Sequence, residues 1–263
     1  LRDSQTKTII ILENFCKVLE TALPETEVES IIVTTIGDMI PGLKGKIVNF
    51  VVKYVKKMVP SYSLSEPSIW KKVLTSNRPT EYTPVEIMNT DIAFLQYTGG
   101  TTGVSKGAML SHRNMISNIE QARAWVTLDR GTERVITALP LYHIFSLTAN
   151  FFVFMSLGGT NILITNPKDI PGFIKTLKQN TFTAITGVNT LFNALLNHPN
   201  FSDIDCSHLK LTLGGGMAVQ KDVADKWKAA TNCPLLEAYG LTEACPAVCV
   251  NTLNLSDYNG AIG

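Results

Sequence analysis

The chain has 263 residues and sets 23 Lys plus Arg against 22 Asp plus Glu, a formal net charge of +1. Such a balance gives no electrostatic reason to expect nucleic acid as a partner. Hydrophobic residues make up 45% and charged residues 17%, below the roughly 25% charged that globular domains usually carry, which excludes intrinsic disorder and predicts extensive burial.

No secretory signal is recognised at the start. The longest stretch without Asp, Glu, Lys or Arg covers residues 135–167, but Pro140, His143, Ser146, Thr148, Asn150 and the Gly158-Gly159 pair interrupt it. It reads as a strand, a loop and a buried helix, not a bilayer span. Cys16, Cys206, Cys233, Cys245 and Cys249 form no C-x-x-C pair and share no His spacing. Reduced thiols, a cytoplasmic location and no zinc site are expected. Because the sequence opens on Leu1 and closes on turn-like residues before Gly263, it is read as an internal segment of a longer chain.

In chain order, the β-branched run 8–12 predicts a strand, 13–23 a helix and 31–35 a second strand, a βαβ unit. Residues 46–59 sort at 100° per residue, with Ile47, Val48, Val51, Val52, Val55, Met58 and Val59 on one arc and Lys46, Asn49, Lys53, Lys56 and Lys57 opposite. This basic amphipathic helix from Lys46 to Val59 suits either contact with an anionic membrane face or packing within the domain under snorkelling lysines. A polar linker is expected over 61–89. Residues 92–97 predict a strand, followed by a Gly/Thr loop and a helix from about Ser111 with Met115, Ile119, Ala122 and Val126 on one face. Further strands are predicted at 134–139, 161–165, 182–186 and 210–213, with helices between them. The expected fold class is α/β, mainly parallel sheets with helices covering both faces.

Between Tyr97 and Ser111 lies Thr98-Gly99-Gly100-Thr101-Thr102-Gly103-Val104-Ser105-Lys106-Gly107-Ala108-Met109-Leu110. Glycines let backbone N–H groups converge on an anion, hydroxyls add donors, an ammonium offsets polyphosphate charge, and the following helix is expected to turn its N-terminus toward the site. The Walker A pattern fails, because Ser105 precedes Lys106 and Gly107 follows it. The dinucleotide fingerprint G-x-G-x-x-G is absent here and at Gly214-Gly215-Gly216, where Val219 takes the last glycine's place. Gly103-Val104-Ser105-Lys106-Gly107 satisfies the G-x-S-x-G of serine hydrolases, with Asp203, Asp205 and His208 downstream, although a polar loop separates Ser105 from the strand.

The run from Tyr97 to His112 resembles the phosphate-loop signature of the AMP-forming acyl-activating ligases, which include acyl-CoA synthetases, luciferases and peptide-synthetase adenylation domains. Leu211-Thr212-Leu213-Gly214-Gly215-Gly216-Met217-Ala218 resembles that family's glycine-rich adenine segment. Glu237-Ala238-Tyr239-Gly240-Leu241-Thr242-Glu243 resembles its second core motif. The resemblance implies that Tyr239 stacks on adenine, Thr242 contacts phosphate and Glu243 helps hold Mg²⁺. Leu139-Pro140-Leu141-Tyr142-His143-Ile144-Phe145 resembles the segment that sets a histidine near the acyl carboxylate, and the apolar helix over 144–157 would help wall an acyl channel. Connected text around residues 94–103, 138–145, 184–197 and 214–217 is similar to the long-chain fatty-acid CoA ligases of bacteria.

What the resemblance implies is an enzyme that converts ATP, a fatty acid and CoA into acyl-CoA, AMP and pyrophosphate. Its implied catalytic residues are Thr98, Lys106, His143 and Glu243. Its implied nucleotide contacts are Thr98, Gly99, Gly100, Thr101, Thr102, Gly103, Lys106, Gly214, Gly215, Gly216, Tyr239, Gly240 and Thr242. The 263 residues are then part of an N-terminal adenylation domain, without its start, its Thr-Gly-Asp ribose segment or the small C-terminal domain that carries a catalytic lysine, and poor turnover by this segment alone is expected. A serine hydrolase using Ser105 and a non-catalytic nucleotide-binding module are the alternatives.

Overall fold

The computed structural model of the chain describes residues 1–76, 82–99 and 105–263. Two units divide it, Leu1–Glu86 and Ile87–Gly263. In the first, the β-branched run Thr8–Leu12 forms strand β1, and β2 (Ser30–Thr34) pairs with it in parallel. Helix α1 (Cys16–Ala22), flanked by single 3-10 turns, makes the crossover and buries Cys16 and Leu19. The predicted βαβ unit is therefore present. Where a polar linker is expected, a two-residue strand β3 (Ser68–Ile69) adds in parallel to β2, and α3 (Trp70–Ser76) follows. A strand that short leaves no periodic signal.

The predicted amphipathic helix begins earlier and ends sooner than its sequence pattern. Helix α2 (Gly42–Phe50) runs into a π-type turn over Val51–Val55, and Lys57 adopts a φ of 49°, so Met58 and Val59 lie past the helical segment. Widening to i→i+5 geometry changes the angular step per residue, and the apolar arc scatters. Val48, Val51 and Val52 are half-buried, whereas Ile47, Val55 and Met58 are exposed. Lys53 does not stand on a free basic face, since it pairs with Glu13 at 2.6 Å. A cavity of about 360 Å³ opens in this unit beside Glu13, Asn14, Thr35, Asn49, Lys53 and Tyr54, and no sequence-predicted site residue lines it.

The second unit is built on a six-stranded sheet in the order β11-β10-β9-β8-β6-β7. Strands β6 (Arg134–Thr137), β7 (Thr160–Leu163), β8 (Ala184–Gly187), β9 (Leu211–Gly214) and β10 (Leu235–Gly240) are parallel. The edge strand β11 (Ala247–Val250) is antiparallel to β10. One face buries Ile136, Ile185 and Leu235 against helices α7 (Ile170–Gln179), α8 (Asn189–Leu196) and α9 (Lys221–Thr231). Alternation turns Val135, Ala184 and Leu236 to the other face, where Val153, Phe154 and Leu157 cover them. The sheet is covered on both sides, as predicted. The chain steps from β6 outward to β7, then returns past β6 to β8, and in sheets of this kind ligands bind outside the carboxyl ends of the strands at such a reversal.

After Tyr97 the chain departs from expectation. The strand β4 (Ile92–Thr98) and the helix expected from about Ser111 are both present, but the second half of the expected Gly/Thr loop is strand β5 (Lys106–Ser111), which pairs antiparallel with β4 as a hairpin. Helix α4 (His112–Trp125) starts only after β5, under a capping box between Ser111 and Asn114. At about 3.4 Å per residue, its N-terminus lies roughly 17 Å along β5 from Lys106. The expected contribution of a helix N-terminus to the glycine loop is overturned, because β5 stands between them. Gly100, Thr101, Thr102 and Gly103 lie outside the described residues.

The uncharged stretch 135–167 holds β6, the short helices α5 (Ile144–Ser146) and α6 (Val153–Ser156) joined by π-type turns over Leu147–Phe152, and β7. Its polar residues are bonded inside the unit. Asn150 Nδ2 donates to Ser146 Oγ at 3.0 Å, and Thr186 Oγ1 donates to Asn150 Oδ1 at 2.9 Å. Among the described residues no helix is long and apolar enough to cross a membrane. All five cysteines are free thiols.

Candidate active site

Thr98 and Lys106 are the register partners where β4 ends and β5 begins, and Thr98 Oγ1 donates to the Lys106 carbonyl at 3.4 Å. Thr98 is half-buried, whereas Gly99 and Lys106 are exposed. A Cβ on Gly107 would meet the Tyr97 ring at 3.0 Å, so that ring lies across the glycine.

The carboxyl ends of the parallel strands form the second wall. Gly187 of β8 pairs with Gly214 of β9, and Gly214 pairs with Glu237 of β10. Beyond them the turn Gly214-Gly215-Gly216 needs glycine for two different reasons. Gly216 has a φ of 76°, in the left-handed region. At Gly215 a Cβ would lie 3.1 Å from the Phe145 ring and 3.3 Å from the Ala238 carbonyl. Tyr239 and Gly240 end β10 at a bulge, with Tyr239 47% exposed and its ring therefore open to a ligand. Thr242 and Glu243 occupy a single 3-10 turn over Thr242–Ala244, the first half-buried and the second exposed.

His143 lies past the carboxyl end of β6. Its Nδ1 accepts the Phe145 N–H at 3.3 Å and caps α5, which in a neutral ring leaves the proton on Nε2. The structure gives this histidine an N-cap role that its apolar sequence surroundings did not suggest.

These segments meet. Leu110 of β5, Met115 of α4, Ile144 of α5 and Cys245 share one buried cluster with Phe94, Ala108, Leu147 and Phe152. Strand β5 packs against the Thr242–Ala244 turn. Gln96 of β4 reaches across to donate to the Tyr142 carbonyl at 2.7 Å. With Phe145 resting on Gly215, the contacts close a ring: hairpin, His143 segment, glycine turn, end of β10, Thr242 turn and hairpin again.

The sequence reading gave no role to Gln96, Asn118, Thr148 or Glu237. Asn118 carried a signal, since it sits beside Met115 and Ile119 on the apolar side of α4, where a polar residue needs a partner. Glu237 is 5% exposed, and its Oε1 accepts the Val219 N–H at 3.3 Å, while Oε2 has no partner. Burial pushes its carboxyl up, against the weaker lowering by the Val219 N–H. A folded state that holds this proton more tightly than the unfolded chain loses stability as pH rises from the unfolded value near 4.3 through the folded one. Glu237→Gln is therefore expected to melt at a higher temperature than the parent at about pH 8, with the difference vanishing near pH 4. Thermal melts across that range check this, and equal melting at the alkaline end counts against it.

The hydrolase geometry is not formed. Ser105 leads directly into β5, not into a sharp strand-to-helix turn. Asp203 pairs with Lys178 at 2.7 Å, and Asp205 accepts the Ser207 N–H at 2.9 Å. Both precede β9 and so lie toward its amino end, opposite the glycine turn.

A mostly parallel, doubly covered sheet with a glycine turn at its carboxyl ends defines the class of α/β proteins that bind ligands at a switch-point crevice. Within that class, this chain belongs to the AMP-binding enzyme family, whose profile matches residues 1–263. It is 53% identical over 265 aligned positions to a long-chain-fatty-acid–CoA ligase of Yersinia pestis, covering 100% of this chain and 47% of that protein. The corresponding ligase of Haemophilus influenzae is 49% identical, with 100% and 48% covered. The chain thus spans about half the length of these curated relatives. Among solved structures, the anthranilate CoA ligase AuaEII in complex with anthranoyl-AMP superposes with a TM-score of 0.79 at 19% identity, covering 99% of this chain and 45% of that one.

Proposed function

We propose that the whole protein activates a long-chain fatty acid with ATP and passes the acyl group to CoA, this chain being part of its N-terminal adenylation domain. The observation that supports the reading is the chain of contacts joining the hairpin, the His143 segment, the glycine turn and the Thr242 turn at the carboxyl end of the sheet.

In the first half-reaction a carboxylate oxygen attacks the α-phosphorus and the bond to pyrophosphate breaks. In the second, the CoA sulfur attacks the acyl carbonyl and AMP leaves. The acid is already ionised at neutral pH, so the first step needs no general base and is catalysed by positioning and charge stabilisation; in the second step the thiol proton is released to solvent or to the departing phosphate. In this reading Tyr239 covers the purine, and the turn Gly214-Gly215-Gly216 with Gly240 lets backbone approach it. Thr98, Gly99, Lys106 and Thr242, with Gly100, Thr101, Thr102 and Gly103, surround the phosphates. His143 offers its Nε2–H beside the acyl carboxylate.

No group of three His, Cys, Asp or Glu side chains that could hold a metal occurs among the described residues. Mg²⁺ needs only one or two carboxylates when substrate phosphates complete its shell, so the exposed Glu243 fits it. When bound there, the ion would neutralise phosphate charge.

Fatty-acid-dependent exchange of pyrophosphate into ATP by the whole protein is the expected result, and its absence overturns this reading. ATP binding with no exchange would favour a non-catalytic nucleotide module instead. The proposal extends to peripheral membrane contact through Lys46 to Val59, a segment that exposes Ile47, Phe50, Tyr54, Val55 and Met58. Tighter binding to anionic than to neutral vesicles at low salt is expected; equal binding would remove that extension.

A further inference from the structure

The Thr242–Ala244 turn is too short to hold itself. Its internal support is Ala244 N–H to the Leu241 carbonyl at 3.0 Å and Cys245 N–H to the Thr242 carbonyl at 3.3 Å, and Leu241 N–H to the Pro246 carbonyl at 3.0 Å closes its base. Further bonds come from two side chains on separate elements. Among the described residues β11 is the last strand in its sheet, and one edge of Ala247 has no strand beside it. Asn118 of α4 fills that edge: its Nδ2 donates to the Ala247 carbonyl at 2.9 Å, and its Oδ1 accepts the Ala247 N–H at 3.1 Å. The amide thereby imitates a neighbouring strand. Thr148, in the π-type turns, donates Oγ1 to the Cys245 carbonyl at 2.8 Å. Asn118, Thr148 and Cys245 are 5%, 1% and 2% exposed, so no water replaces these bonds. The base of the loop is gripped twice while its tip, with Glu243, faces solvent.

We propose that Asn118 and Thr148 are positioning residues that hold the loop 240–246 in the geometry adenylate formation needs, carrying Thr242 and Glu243 through its backbone. The inference rests on the ligase reading. Thr148→Val keeps shape but removes the donor, and leaves a buried carbonyl unpaired; Asn118→Ala frees both edge groups of Ala247. In the whole protein, either change is expected to lower kcat of fatty-acid-dependent pyrophosphate exchange about tenfold or more, with KM for ATP within about threefold. Amide hydrogen exchange should accelerate over 241–247 without a comparable change in β6 or β8. Thr148→Ser should restore both readouts, which a loss of bulk packing would not predict. If Asn118→Ala fails to fold, the Thr148 pair decides alone. Folded Thr148→Val protein with parental kcat and parental protection over 241–247 overturns the inference while leaving the ligase reading standing. A parent without exchange activity overturns that reading and the inference with it.

Discussion

In the whole protein, Gly240→Ala is expected to leave the fold intact and, under the proposed ligase activity, to slow fatty-acid-dependent pyrophosphate exchange by about a hundredfold or more, the order of loss that follows misplacement of a catalytic group by about 1 Å. The reason is steric and local. A Cβ at position 240 would lie 2.3 Å from the Pro246 carbonyl oxygen and 3.0 Å from its carbon. Both are backbone atoms, so no side chain can swing aside. Relief requires moving the carbonyl that accepts the Leu241 N–H, and that carbonyl fixes the base of the Thr242 turn. Tyr239 on one side and Thr242 and Glu243 on the other would shift together. One added methyl group in a tight site costs about 1–3 kcal/mol, too little to unfold a domain with a core of this size. Exchange kinetics alongside a thermal melt check both halves, and unchanged kinetics in Gly240→Ala would show that the loop tolerates displacement without chemical cost.

The parallel architecture was legible because alternating apolar runs and helical stripes report burial directly. Runs such as Val135-Ile136 and Ala184-Ile185 are apolar at consecutive positions, the mark of a strand buried on both faces, and they lie inside β6 and β8. The hairpin was not legible for a physical reason. Lys106–Ser111 contains Lys, Gly, Ala and Ser, none with a strong strand preference, and it becomes a strand through tertiary pairing with β4. Residues 46–59 failed in the opposite direction. Their period was real, but it could not foresee the π-type turn at Val51–Val55.

The candidate site divides in the same way. Glycines whose local geometry excludes a Cβ announce themselves as glycines, and Gly215, Gly216 and Gly240 are required where the structure places them. Side chains that act through another segment's backbone leave no spacing pattern. Asn118 contacts Ala247 across 129 positions, and Gln96 contacts Tyr142 across 46. Their roles depend on where the sheet edge and the crevice fall, and a one-dimensional reading has no access to either.

Trp227→Ala is expected to cost about 3–5 kcal/mol of stability, the largest effect of a single truncation on the face of the sheet that carries α7, α8 and α9. Trp227 is 1% exposed. Its ring meets Phe192 edge to face at 4.8 Å and leans on Phe201 at 5.4 Å, aromatic pairs that add to simple area burial. Its Nε1–H donates to Thr212 Oγ1 at 3.1 Å, and Thr212 is fully buried in β9 two residues before Gly214. Truncation therefore opens a cavity among α8, α9 and the sheet, and removes a hydrogen-bond partner directly beneath the glycine turn. At about 2–4 °C per kcal/mol for a unit of this size, the melting temperature should fall by roughly 6–20 °C. Trp227→Phe separates the contributions. It keeps most of the ring packing but loses the N–H, for which about 1–2 kcal/mol is expected. Urea unfolding of both variants measures the two costs. A Trp227→Ala midpoint within error of the parent would mean that the helices on this face close over the vacancy, and that the floor of the glycine turn does not depend on the tryptophan.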